Sequence, residues 1–141
     1  VNDFLHKFHS AQEFTYISAL SEIKAGQKKG HWMWFIFPQM YGLGFSGTAQ
    51  YYAIHNKEEA LAYMTDPVLG SNLREITKAV LDSPIIDVEH LFGYPDNLKL
   101  QSCMTLFYLV SKEDLFLQVL NKYFSGNFCM YTARAIMANS L

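Results

Sequence analysis

Apolar residues recur at helical spacing over most of this chain, and the polar residues between them read as caps and stops. Phe4, Phe8, Ala11, Leu20 and Ile23 form one such stripe. It predicts a first helix from an Asp3 cap to about Ala25. Gly26 ends it, with Lys24, Lys28 and Lys29 around a C-terminal end where the macrodipole favours cations. From Ser46 the pattern returns, with a short helix through Ala49, Gln50 and Tyr52. Asn56 with Glu59 reads as a capping box ahead of Ala60, Leu61 and Met64. Asp66-Pro67 turns the chain into a helix carrying Leu69, Leu73, Ile76, Val80 and Leu81, which Ser83-Pro84 ends. Asp87 caps a short helix with Val88, Leu91 and Phe92, closed by Gly93. Pro95-Asp96 then opens the most regular segment, with Leu98, Met104, Phe107, Leu109 and Val110, and with Asp96 as its N-cap. Ser111 and Asp114 repeat the capping-box pattern before Leu115, Phe116, Val119, Leu120 and Phe124. Gly126-Asn127 breaks the chain before a last amphipathic stretch, Tyr131 to Met137.

One segment does not fit this rhythm. His31-Trp32-Met33-Trp34-Phe35-Ile36-Phe37-Pro38-Gln39 is too apolar for either period to be read from it. It is a short buried strand or one to two turns of helix, and Pro38 disfavours the helical region at Phe37. Gly42-Leu43-Gly44 reads as a tight loop after it. There is no other strand candidate, no repeat and no linker. The expectation is an all-α fold: a compact multihelical single domain, residues 1–141, of about six to eight helices, with one short aromatic segment of irregular or extended structure.

Composition sharpens this picture in a few places. The chain is 50% hydrophobic and 16% aromatic, firmly globular, yet only 17% charged. Its surface is therefore unusually neutral, or partly covered by a partner; a homodimer is one such arrangement. The net charge of -2 argues against nucleic acid as the partner. No apolar run approaches the ~20 residues that span a bilayer, so no membrane partner is expected. The N-terminus lacks a basic region followed by an apolar one, so no secretion signal is read there. Cys103 and Cys129 have no metal-ligand spacing and read as free thiols of a reducing cytoplasm.

The motifs together resemble a family. Phe8 with Ala11-Gln12, Tyr16 with Ala19-Leu20, the Gly26-to-Gln39 segment, Gly42-Leu43-Gly44 with Ser46, Tyr52-Ala53 and Glu59-Ala60 with Tyr63 carry the first half. Leu69-Gly70, Phe92-Gly93, Asp96, Leu98-Lys99-Leu100, Ser102, Met104-Thr105-Leu106-Phe107 and Tyr123-Phe124 carry the second. On these residues the chain resembles the uncharacterised bacterial family known as domain of unknown function 1810, over nearly its whole length. The resemblance implies a mainly helical fold and no known activity. Some members carry the label calpastatin, but calpain inhibition is the work of extended, disordered segments, which an aromatic-rich chain is not. Asn72, Asn97, Cys103 and Cys129 depart from the Arg, Asp, Ser and Asp expected in relatives. A carboxylate at position 129 reads best as a helix cap, a matter of about 1 kcal/mol.

Candidate chemistry gathers in two places. His31 heads the aromatic run beside a lysine-rich helix end, where an imidazole can act as acid, base or anion donor, or bond a backbone carbonyl. Trp32 and Trp34 cannot both stack on one ligand, so one is read as core and the other as a platform; both in the core is the alternative. Gln39 must find partners in an apolar setting. Farther on, Lys99, Ser102 and Thr105 share a sector of a helix. A lysine in a first helical turn opposes the macrodipole, so Lys99 needs an anion or a carboxylate partner. A Ser102 or Cys103 nucleophile with His31 as base has no motif behind it, and His6 with His9 lack a third metal ligand. No metal site is expected and no cofactor can be named. The expectation is a pocket between the 30–39 segment and the 96–107 helix. There Lys28, His31, Trp32, Trp34, Gln39, Lys99, Ser102 and Thr105 would bind a small polar or anionic ligand, a nucleotide-like one fitting those groups. Whether a reaction follows binding is undecided at this level. The alternative is an interaction module with no catalytic activity, its aromatic segment covered by another protein or a second copy.

Overall fold

Asp66 shows how local chemistry sets the helix boundaries. In the computed structural model, which describes residues 2–139 and the side chains of 4–138, its carboxylate accepts the Val68 and Leu69 N–H groups at 3.1 and 2.9 Å. Pro67 follows at the first helical position, where its missing N–H costs nothing. This junction separates α5 (Lys57–Thr65) from α6 (Pro67–Asp82). Asn56 caps α5 through the Glu59 N–H at 2.8 Å, although Glu59 turns its own carboxylate to the His55 N–H rather than to Asn56. Ser46 caps α4 (Gly47–Tyr51) and Asp87 caps α7 (Val88–Phe92) in the same way.

Ten helices occur among the described residues, more than the six to eight expected, and no strand is among them. One extra helix comes from a break in the first. The expected single helix to Ala25 is α1 (Asn2–Glu13) and α2 (Tyr16–Lys24), separated by a turn in which the Thr15 N–H reaches only the Gln12 carbonyl. The break has a packing reason: α1 lies against α5, α6 and the aromatic segment, whereas α2 lies chiefly against α6. One straight rod would not seat Phe8 and Ile23 in the same core. The Asp3 side chain lies outside the described residues.

The aromatic segment is the second correction. It is neither extended nor irregular at its centre but a single helical turn, α3 (Met33–Ile36). Beyond Pro38 the chain does extend, and Ile54 donates to the Gln39 carbonyl while Tyr41 donates to that of Ile54, an isolated parallel bridge.

α8 (Asp96–Ser111) is the centre of the body. It packs against α5, α7, α9 (Asp114–Phe124) and α10 (Met130–Asn139). Every residue from Ser102 to Phe107 is buried, so this stretch has no solvent face, and its two polar side chains, Ser102 and Thr105, must be bonded within the protein. Asp96 is its first helical residue rather than its cap, and makes no capping bond. Between α8 and α9 the Ser111 hydroxyl accepts the Glu113 N–H, not that of Asp114, so the second capping box is not formed. Arg74 of α6 grips Glu113 with two parallel bonds of 2.8 and 2.7 Å, fastening α6 to the start of α9. No described helix is long and apolar enough to cross a membrane.

The close crossing of α5 and α6 leaves no room at Gly70. A Cβ there would stand 2.1 Å from the Met64 carbonyl oxygen. Gly70→Ala is expected to destabilise by about 1–3 kcal/mol, since backbone has to move. A urea titration that leaves the midpoint unchanged would refute this.

Candidate ligand-binding site

Of the predicted residues, Lys28, Trp32, Trp34 and Lys99 gather around Asp96 and Gln39 meets Trp34, with the charged groups partnered within the chain. Trp32 is the tryptophan of the core, 2% exposed, with its ring against Phe37 and Phe92. Its indole N–H donates to Glu22 at 2.9 Å. The same carboxylate oxygen accepts the Lys29 and Gly30 N–H groups at 2.7 and 2.9 Å. Glu22 thus fills the anion nest that successive backbone N–H groups make. Burial pushes its carboxyl up, but the donors from Gly30, Lys29 and Trp32, with the Lys28 charge, hold it below the ordinary value of 4.5. A carboxyl held low stabilises the fold fully above its ordinary value, and that contribution is lost as pH falls through the lowered one. Glu22→Gln is therefore expected to destabilise at pH 7, and the difference to shrink as pH falls below 4.5 through the lowered value. Urea midpoints of the two proteins that stay parallel over this range would refute it.

Lys28 is nearly buried. It donates to the Gly30 carbonyl and to Asp96 at 2.7 Å, and its ammonium sits 4.9 Å from the centre of the Trp32 ring. Lys99 reaches the other Asp96 oxygen at 3.3 Å and lies 4.9 Å over the half-buried Trp34 ring. Asp96 thus pairs with both lysines, and the Glu22 carboxylate, which feels the Lys28 charge, supplies the second negative charge that balances them. Ser102 and Thr105 are buried and return their hydroxyls to the Leu98 and Gln101 carbonyls; Thr105 also accepts the Cys129 N–H just ahead of α10. His31 is exposed. Cys103 is fully buried, and burial raises its thiol well above the usual range, so it does not pair with His31 as a nucleophile. Trp34 and Gln39 do meet, with Gly42, Gly44 and Tyr52, around a space of about 10 Å³. That is room for one water at most.

A larger hollow lies elsewhere. It measures about 490 Å³ and opens between α1, α2 and the start of α6. His6, His9, Ser10 and Glu13 line it from α1, Tyr16 and Ile17 from α2, and Val68 and Asn72 from α6. Its floor is Gln12, whose amide N–H groups go to the Phe35 carbonyl at 2.7 Å and the Tyr63 hydroxyl at 2.8 Å. Asn72 donates to the Gln12 carbonyl at 2.9 Å. The Tyr16 hydroxyl donates to Glu75 at 2.6 Å. Burial, then the Glu75 bond, pushes the Tyr16 phenol far above its usual range; burial does the same to Tyr63. Both stay protonated and act as fixed donors. His9 bonds Asp66 at 3.0 Å, tying the hollow's wall to the cap of α6. Burial opposes ionisation of Asp66, but the Leu69 N–H, His9 and the Val68 N–H together lower its carboxyl.

Sequence reasoning did not bring these residues together. One signal was available: Gln12 stands four residues after Phe8 on the apolar stripe of α1, where a polar side chain has to be buried and bonded. Its partners, 23 to 60 residues away, have no local mark.

No curated protein matches this chain. Among solved structures it is similar to the conserved hypothetical protein Rv1873 from Mycobacterium tuberculosis, at 42% identity over 94% of this chain and 96% of that one, with a TM-score of 0.92. A family model described as protein of unknown function (DUF1810) matches residues 2–136, and the chain belongs to that family.

Proposed function

We propose that this protein binds a small polar molecule in the hollow between α1, α2 and α6. The observation that carries this reading is the hollow's build. Its volume of about 490 Å³ falls within the usual size of small-ligand sites. Its polar floor is rigid, since Gln12 is buried with every amide group bonded. Ile17 and Val68 supply apolar walls. Binding does not require the chain to unfold or repack any part of this site. A thermal-shift screen against nucleotides, amines, amino acids and sugar phosphates tests it. A ligand at 100 times its dissociation constant adds about 2.7 kcal/mol. Asn72→Leu should abolish the shift in a protein that still unfolds cooperatively.

A second reading keeps the ligand at the aromatic segment, as an anion against Lys99, Trp34 and Gln39. The ammonium lying over the half-buried Trp34 ring favours it. It needs the 42–44 loop to open, because the present space holds no ligand. The two readings separate cleanly: Lys99→Met abolishes binding under the second and leaves it intact under the first.

A further inference from the structure

We infer that the hollow between α1, α2 and α6 takes a cation, an amine or guanidinium joined to a short apolar body, rather than an anion. This rests on the proposed binding role of that hollow and adds the chemical class.

Two independent counts lead to it. The first is charge. Glu13 lines the hollow, Glu75 stands in hydrogen-bonding contact with the lining Tyr16, and Asp66 with the lining His9. Among the described residues, no lysine or arginine lines it. The two histidines there, His6 and His9, do not outweigh three carboxylates, and His9 is already engaged with Asp66.

The second count is of donors and acceptors. The hollow's strongest donors are spent within the protein: both Gln12 N–H groups on Phe35 and Tyr63, and the Tyr16 hydroxyl on Glu75. The Asn72 amide spends one N–H on Gln12 and keeps its side-chain oxygen and its other N–H for a ligand. The ionised group on the lining is an acceptor, the Glu13 carboxylate, and the Glu75 carboxylate stands behind it through Tyr16. A ligand that fits must bring the hydrogens. Ile17 and Val68, 75% and 53% exposed, are the apolar surface on which its body would rest.

The test uses three probes of one shape: 2-phenylethylamine, 2-phenylethanol and 3-phenylpropionate, each titrated into the labelled full chain at fixed ionic strength and followed by amide chemical shifts. The amine is expected to move Glu13, Ile17, Val68 and Asn72 and to bind about tenfold more tightly than the alcohol, the size of one charge-assisted hydrogen bond. The propionate binds more weakly than either. Glu13→Gln and Glu75→Gln, both exposed positions, each remove much of the amine's advantage and leave the alcohol unchanged. Equal binding of amine and alcohol, or tighter binding of propionate at these residues, overturns the class while the hollow remains a binding site. If no probe moves these amides, the binding role falls along with it.

Discussion

Trp32→Ala is expected to cost about 3–5 kcal/mol, the range for emptying a large buried aromatic. Three effects add in one direction. The ring is 2% exposed and wedged against Phe37 and Phe92. Its N–H is one of three that Glu22 holds, so the nest at Lys29 and Gly30 loses an anchor. Lys28 loses the ring beneath its ammonium. In a chain of this size the midpoint of thermal unfolding should fall by roughly 10–15 °C. Trp32→Phe separates the parts, since it keeps most of the packing and deletes the indole bond, and roughly 1–2 kcal/mol should be lost. Trp34→Ala is the control. Its ring is only half buried, so its loss should be well below that of Trp32. Equal losses at the two tryptophans would mean that the body is not organised around Trp32.

The contrast between these tryptophans shows what the sequence could and could not tell. Features decided by neighbours in the chain were legible. Ser46, Asn56 and Asp87, read as caps, each bond an N–H two or three residues on, and so does Asp66, read as the turn before Pro67. Features decided across the fold were not. Asp96 looks like a cap in sequence, but its carboxylate is claimed by Lys28, 68 residues earlier in the chain, with Lys99 beside it. Lys99, read as needing an anion or a carboxylate partner, has the carboxylate, from Asp96. Glu22 was missed for another reason: its three donors stand only seven to ten residues on, but the loop that folds back onto α2 to bring them there has no motif of its own. The split at Thr15 was hidden for a similar reason: the apolar stripe runs through it almost unbroken, and only the separate partners of α1 and α2 demand a turn. The hollow, too, is a product of that turn, since its walls lie on either side of it.

Gln12→Leu is the second large effect, at roughly 3–4 kcal/mol, although leucine has nearly the right volume and suits the stripe it would join. The cost lies in the partners. The Phe35 carbonyl loses its short donor, and the Tyr63 hydroxyl is left with only a 3.4 Å contact to that same carbonyl. Tyr63 is fully buried and the Phe35 carbonyl partly so, and an unmet buried polar atom costs about 1–3 kcal/mol. Asn72 loses the acceptor that orients it. Because the residues act as one network, removal of a second member should cost less than the first. The double variant Gln12→Leu with Asn72→Leu should therefore lose measurably less, by about 1 kcal/mol or more, than the sum of the two single losses in urea unfolding. Strict additivity would mean that Gln12 and Asn72 stand independently. The hollow would then lack the rigid floor on which ligand selection by a fixed pattern of acceptors depends.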